Sequence, residues 1–100
     1  MDVLRAAFIF VAPEADPAAN RAWVKTPKVH LLTVGVANYA QAETVAKDVV
    51  ANDGIAAIEL CGGFGHAGAA RIAAAASVPV GVVRFDSHPG LGGASGDTLF

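Results

Sequence analysis

The chain has 100 residues, of which 54% are hydrophobic and only 16% charged, and its formal net charge is −2. With its Lys and Arg scattered and 7% aromatic residues, it lacks the basic, aromatic-interleaved surface that nucleic-acid binding requires. The length suits one domain over residues 1–100, and no segment approaches the ~20 apolar residues of a membrane span.

The apolar share exceeds the usual ~45–50%, although a small protein buries proportionally less surface than a large one. Part of the outer surface is therefore expected to be buried as well, in a homo-oligomer. The single Cys61 cannot form an internal disulfide, so a reducing, cytoplasmic setting is expected.

Arg5 to Ala12 reads as the first strand, apolar on both faces as in a strand covered by helices on both sides. The run after Arg5 loosely imitates a secretory signal. Asp2 spoils its positive region and Pro13-Glu14 follows at once, so a buried strand is expected. Asp16-Pro17 has the chemistry of a helix start. A short helix is expected through about Val24, with Ala18, Ala22 and Trp23 inward and Pro27 ending it.

Val29 to Val36 reads as the second strand. Asn38 then caps a helix, with Gln41 as the partner three residues on. Ala42, Val45, Ala46, Val49 and Val50 form one apolar stripe, Glu43 and Lys47 pair on the outer side, and Gly54 supplies a left-handed stop. Ile55 to Cys61 is the third strand, Gly62 to Gly65 a turn, and His66 to about Ala76 a helix whose only permanent charge is Arg71. Val78 to Phe85 is the fourth strand, with Pro79 confined to its start or to an edge. Asp86 to Phe100 is an irregular, glycine-rich tail whose Leu99 and Phe100 can dock onto a neighbour.

The order β-α-β-α-β-α-β plus tail implies a single small α/β domain of parallel βα units with right-handed crossovers. A doubly wound sheet is the favoured arrangement, and a half-barrel that pairs with a second subunit is the alternative.

In such a sheet, ligands gather at the carboxyl ends of the strands. Those ends carry Asn38 and Tyr39, then Cys61 to His66, then Arg84, Asp86, Ser87 and His88. A small molecule with a phosphate or carboxylate group is the expected ligand. It would be held by the turn at Gly62, Gly63, Phe64 and Gly65, up to the His66 N–H, and by Arg84 with Asp86 beside it. If a reaction occurs, His66 and His88 are the acid and base candidates, assisted by Cys61 or Glu59.

Each candidate has a plainer reading. Cys61 beside a helix start favours the thiolate, yet a lone cysteine at a strand end is commonly a small core residue. Glu59 suits a structural ion pair with Arg84 better than a general base. Cys61, His66, Asp86 and His88 match no standard zinc spacing, so no metal is expected. His30 is expected to be structural, and Asp86-Ser87-His88 are too close in sequence to form a triad. Gly63-x-Gly65-x-x-Gly68 is a formal dinucleotide fingerprint, but only one strand follows it, too few for two mononucleotide halves. The sequence thus names no cofactor. The alternative to a ligand site is a non-catalytic, homo-oligomeric assembly module whose glycines serve packing.

AAFIFVAPEADP near the start, IELCGGFG at the centre and VPVGVVRFD-HPGLGG-SGD-LF at the end resemble a family of short microbial proteins known only as a domain of unknown function. The likeness covers nearly the whole chain. It implies one compact domain, marks the same glycine-rich segments, and carries over no catalytic residue. GGFG is more distantly similar to phosphate-handling βα loops of barrel enzymes, a fold-level analogy.

Overall fold

The computed structural model describes residues 2–100. Its sheet has five strands: β1 (Leu4–Val11), β2 (Arg21–Lys25), β3 (Val29–Val36), β4 (Ala57–Leu60) and β5 (Val80–Val82), in the order β2-β3-β1-β4-β5. The pairs β1–β3, β1–β4 and β4–β5 are parallel, as the βα alternation requires, and β2 runs antiparallel to β3 at one edge. Helix α1 (Tyr39–Asp53) connects β3 to β4, and α2 (His66–Ala75) connects β4 to β5.

The start and the stop of α1 follow local chemistry. Asn38 accepts from the Gln41 N–H, and Gln41 reaches back to the Ala37 N–H rather than to that of Asn38 itself. Gly54 ends α1 at φ +67°, the left-handed position expected of it. The stripe Ala42, Val45, Ala46 and Val49 is buried, and Val50 packs against it. Glu43, however, pairs with Arg71 of α2 at 2.6 Å instead of with Lys47, because α2 lies alongside.

The helix expected over 16–24 is instead one turn followed by β2. The capping chemistry is real: Asp16 Oδ1 accepts from the Ala18 N–H, and the Asp16 carbonyl accepts from the Asn20 N–H. The helix stops there because Arg21 to Lys25 cover the edge of β3, and this pairing outweighs a weak helical preference in Trp-Val. Ala18, Ala22 and Trp23 are consequently exposed rather than inward. β5 is shorter than Val78–Phe85 because Arg84 to Asp86 leave the sheet, and Pro79 stands before an edge strand, as expected.

The doubly wound expectation is also corrected. From β3 the chain crosses over β1 to β4 and then continues in the same direction to β5. Two right-handed crossovers advancing the same way put both helices on one face, where they pack on each other. Ala7, Ile9, Leu32, Val34, Ile58 and Leu60 fill the core beneath them, and among the described residues the opposite sheet face carries no helix.

The turn after β1 has Pro13 at its second position and Glu14 at its third, with Glu14 at φ +65° and the Ala15 N–H bonded to the Ala12 carbonyl. This is type II geometry, which favours glycine at the third position. Glu14→Gly is expected to raise stability by about 0.5–1 kcal/mol in thermal denaturation, because relief of the left-handed strain exceeds the added chain entropy.

Candidate functional site

The carboxyl ends of β1, β3, β4 and β5 share one edge, and the tail folds back across it. Helix α2 begins Gly65-His66-Ala67-Gly68, with no side chain of its own to cap it and no acid in its first turn. Its free N–H groups need a partner. Asp97 supplies it from the tail: Oδ2 accepts from the Ala67 N–H and Oδ1 from the Gly68 N–H, both at 3.0 Å.

Tyr39, one residue past the Asn38 cap, locks this contact from the other side. Its hydroxyl donates to Asp97 Oδ1 at 2.9 Å and accepts from the Gly65 N–H at 3.1 Å. Its ring stacks on Phe64, with centroids 5.3 Å apart, and leans on Phe100 at 6.3 Å. Burial pushes the Tyr39 phenol up to about 12; the Gly65 N–H opposes that rise and the Asp97 carboxylate adds to it. Desolvation raises Asp97, but the N–H groups of Ala67 and Gly68, the Tyr39 hydroxyl and nearby His66 outweigh it. They hold the carboxyl below its usual range.

The glycines of the turn are therefore tightly faced. A Cβ on Gly65 would strike the Asp97 carboxylate, one on Gly68 the Tyr39 ring, one on Gly62 the Phe85 ring, and one on Gly96 the Gly63 carbonyl. The formal dinucleotide fingerprint has its open faces filled by the chain's own side chains. Of the turn's donors, the Gly63 N–H goes to Cys61 Sγ, the Phe64 N–H to the Cys61 carbonyl and the Gly65 N–H to Tyr39. Among the described residues the His66 N–H has no partner.

Beside this hub lies a cleft of about 210 Å³ between the start of α2, the end of β5 and the tail. It is walled by Phe64, Val82 and Phe85 and edged by His66, Arg84, Asp86, Ser95 and Asp97. Phe64, Gly65, His66, Arg84 and Asp86 thus converge as the sequence suggested. Arg84 grips Asp86 through Nε and Nη2 at 3.1 and 2.9 Å, in a pair whose side chains are 66% and 80% exposed.

The other candidates are placed elsewhere. His88 stands behind Phe85, ring centroids 4.5 Å apart, and its Nδ1 accepts from the Gly90 N–H, which fixes the proton on Nε2 and caps a 3₁₀ turn (Pro89–Leu91). Cys61 Sγ accepts from the N–H groups of Val11 and Gly63, and no hydrogen bond joins it to either histidine among the described residues. Glu59 is exposed on the helix-free face, and Arg84, its expected ion-pair partner, is held by Asp86. Among the described residues, no three His, Cys, Asp or Glu side chains gather as metal ligands would. A wider, shallower groove of about 520 Å³ beside α1 carries Arg21, whose Nε is spent on the Pro17 carbonyl.

Asp97 and Ser95 escaped the sequence reading. The signal was indirect: a helix opening on Gly-His-Ala-Gly has orphan donors, and the tail's Ser-Gly-Asp holds an acid able to reach them. No helix among the described residues is long and apolar enough to cross a membrane. No curated protein and no solved structure matches the chain. The family of unknown function DUF6506 matches residues 4–98, and the chain belongs to that family.

Proposed function

We propose that the protein binds a small molecule through an anionic group, phosphate or carboxylate, in the cleft at the carboxyl edge of its sheet, and does so in the cytoplasm. The observation that carries this reading is the meeting of Arg84 and His66, whose N–H has no partner among the described residues, at one apolar-walled cleft. Asp97 already neutralises the next two donors of α2, so the ligand's charge falls to Arg84 and the His66 N–H. The Arg84–Asp86 pair does not block this role. An ion pair so exposed contributes about 0–1 kcal/mol, and a ligand anion can replace Asp86 on the guanidinium. The volume limits the ligand to a few heavy atoms beyond its charged group, since drug-sized sites begin near ~300 Å³.

If the bound molecule reacts, His66 is the general acid or base, because it borders the cleft while His88 and Cys61 are committed to backbone groups. A second reading, in which the glycines serve packing alone, draws on their close approach to Phe85, Asp97 and Tyr39.

The test is a thermal-shift and calorimetric screen of inorganic phosphate, phosphorylated metabolites and short carboxylates. A ligand at 100 times its Kd raises stability by about 2.7 kcal/mol. Arg84→Ala is expected to weaken binding at least about tenfold and Arg84→Lys less, with little change in the unliganded melting temperature. No shift from any anion, or shifts indifferent to Arg84 and His66, leaves the packing reading in its place.

A further inference from the structure

We propose that the helix-free face of the sheet docks on the same face of a second copy of this chain, about a two-fold axis running along the strands over β1. The proposal does not rest on the cleft, which lies at the strand ends.

Parallel sheets are found almost only with both faces covered, because crossover connections place helices there. Here both helices lie over one face. Alternation along β1 sends Ala7 and Ile9 beneath the helices and Phe8 to the bare side. Leu4, Val24 and Val29 stand on that same side and are 38%, 60% and 38% exposed. These side chains give the bare face an apolar surface that a crossover helix would otherwise cover.

The charge pattern selects both the occupant and the axis. Thr33, Phe8 and Glu59 stand opposite one another across β3, β1 and β4, with Phe8 in the middle. Glu59 is the one charged residue on this face of the strands, and it has no hydrogen-bond or ion-pair partner among the described residues. A second copy turned about an axis along the strands sets Phe8 on Phe8 of the partner subunit. It brings Thr33 opposite Glu59 of the partner subunit, a hydroxyl donor facing a carboxylate. An axis across the strands would instead set the two Glu59 carboxylates against each other. An isologous contact repeats the good pairing twice.

The five strands, at about 4.8 Å spacing and roughly 3.3 Å per residue, together present roughly 450 Å² per subunit in projection. Two such faces bury roughly 900 Å², somewhat below the ~1,200–2,000 Å² of stable complexes, which points to a dimer that dissociates on dilution.

Light scattering over a concentration series is the test. The mass is expected to rise from one 10.1 kDa chain toward two, with a Kd in the micromolar range. Phe8→Glu is expected to weaken association by about tenfold or more. Thr33→Glu, which sets acid against acid, is expected to weaken it about tenfold, and Thr33→Lys to tighten it about threefold. If Phe8→Glu loses its folded circular-dichroism signature, the two half-buried Thr33 variants decide. A monomer at every concentration up to the millimolar range overturns the proposal. So does a dimer indifferent to all three variants, or one in which the two Thr33 exchanges act alike.

Discussion

Asp97→Ala is expected to remove about 2–3 kcal/mol of stability in urea denaturation at neutral pH, a large share for a 100-residue chain. The loss has two parts. The carboxylate caps the Ala67 and Gly68 N–H groups of α2, and loss of a capping side chain typically costs about 1 kcal/mol. It also accepts the proton of the buried Tyr39 hydroxyl, which would be left with only the longer 3.4 Å contact to the Gly63 carbonyl, a loss of about 1–2 kcal/mol more. Asp97→Asn keeps one acceptor and is expected to lose about half as much. Hydrogen exchange should rise first in the Ser95–Phe100 segment, because the latch holds the tail. A change below about 0.5 kcal/mol would show that Tyr39 and the helix start are satisfied by water instead.

The same latch sets two pH limits. Asp97 has its folded pKa held below the unfolded value of about 4. Its stabilisation is therefore present above about pH 4 and is lost as the pH falls through the folded value. Tyr39 shifts the other way. Its folded pKa of about 12 exceeds the unfolded value of about 10, so its contribution is complete below about pH 10 and fades as the pH climbs toward 12. Asp97→Asn should flatten the acid limb. An acid limb unchanged in that variant would move its origin to other carboxylates.

Gly68→Ala is the second large effect, and its sign opposes helix propensity. Gly68 lies inside α2, where exchange for Ala ordinarily gains about 1 kcal/mol. Here the added Cβ would meet the Tyr39 ring and hydroxyl, with Cε2 and Oη at 2.7 Å. Tyr39 cannot step aside cheaply, because Asp97, the Gly65 N–H and Phe64 hold it from three directions. Overpacking of this kind costs about 1–3 kcal/mol against the gain of about 1, so a net loss of up to about 2 kcal/mol is expected, or up to roughly 10 °C in melting temperature. A gain in stability would mean that the Tyr39–α2 contact is looser than its geometry indicates.

Much of the architecture was legible in the chain. The parallel strands show as apolar runs, α1 as a stripe between the Asn38–Gln41 cap and Gly54, and α2 as the helix following the glycine turn. These are local signals, readable within a few residues. β2 was misread because its turn has genuine helix-start chemistry, while the reason it extends, the bare edge of β3, lies across the sheet. The carboxyl edge was also foreseen as the meeting place of Phe64, Gly65, His66, Arg84 and Asp86. The withdrawal of His88, Cys61 and Glu59 from it was not: His88 caps its own 3₁₀ turn, Cys61 Sγ is taken by the N–H groups of Val11 and Gly63, and Glu59 falls on the helix-free face.

The sequence by itself determined the class of fold and the position of the glycine turn, because periodicity, caps and breakers act through neighbouring residues. Tertiary structure alone decided which faces are covered and which donors are spent. The turn that begins Cys61-Gly62-Gly63 reads locally as a cradle for a foreign anion, yet the first anion in reach is the chain's own Asp97, more than thirty residues on. Likewise, the apolar strands read as covered on both sides, while two crossovers of one hand leave one side bare. Both outcomes depend on where distant segments meet, and that is fixed only when the whole sheet has formed.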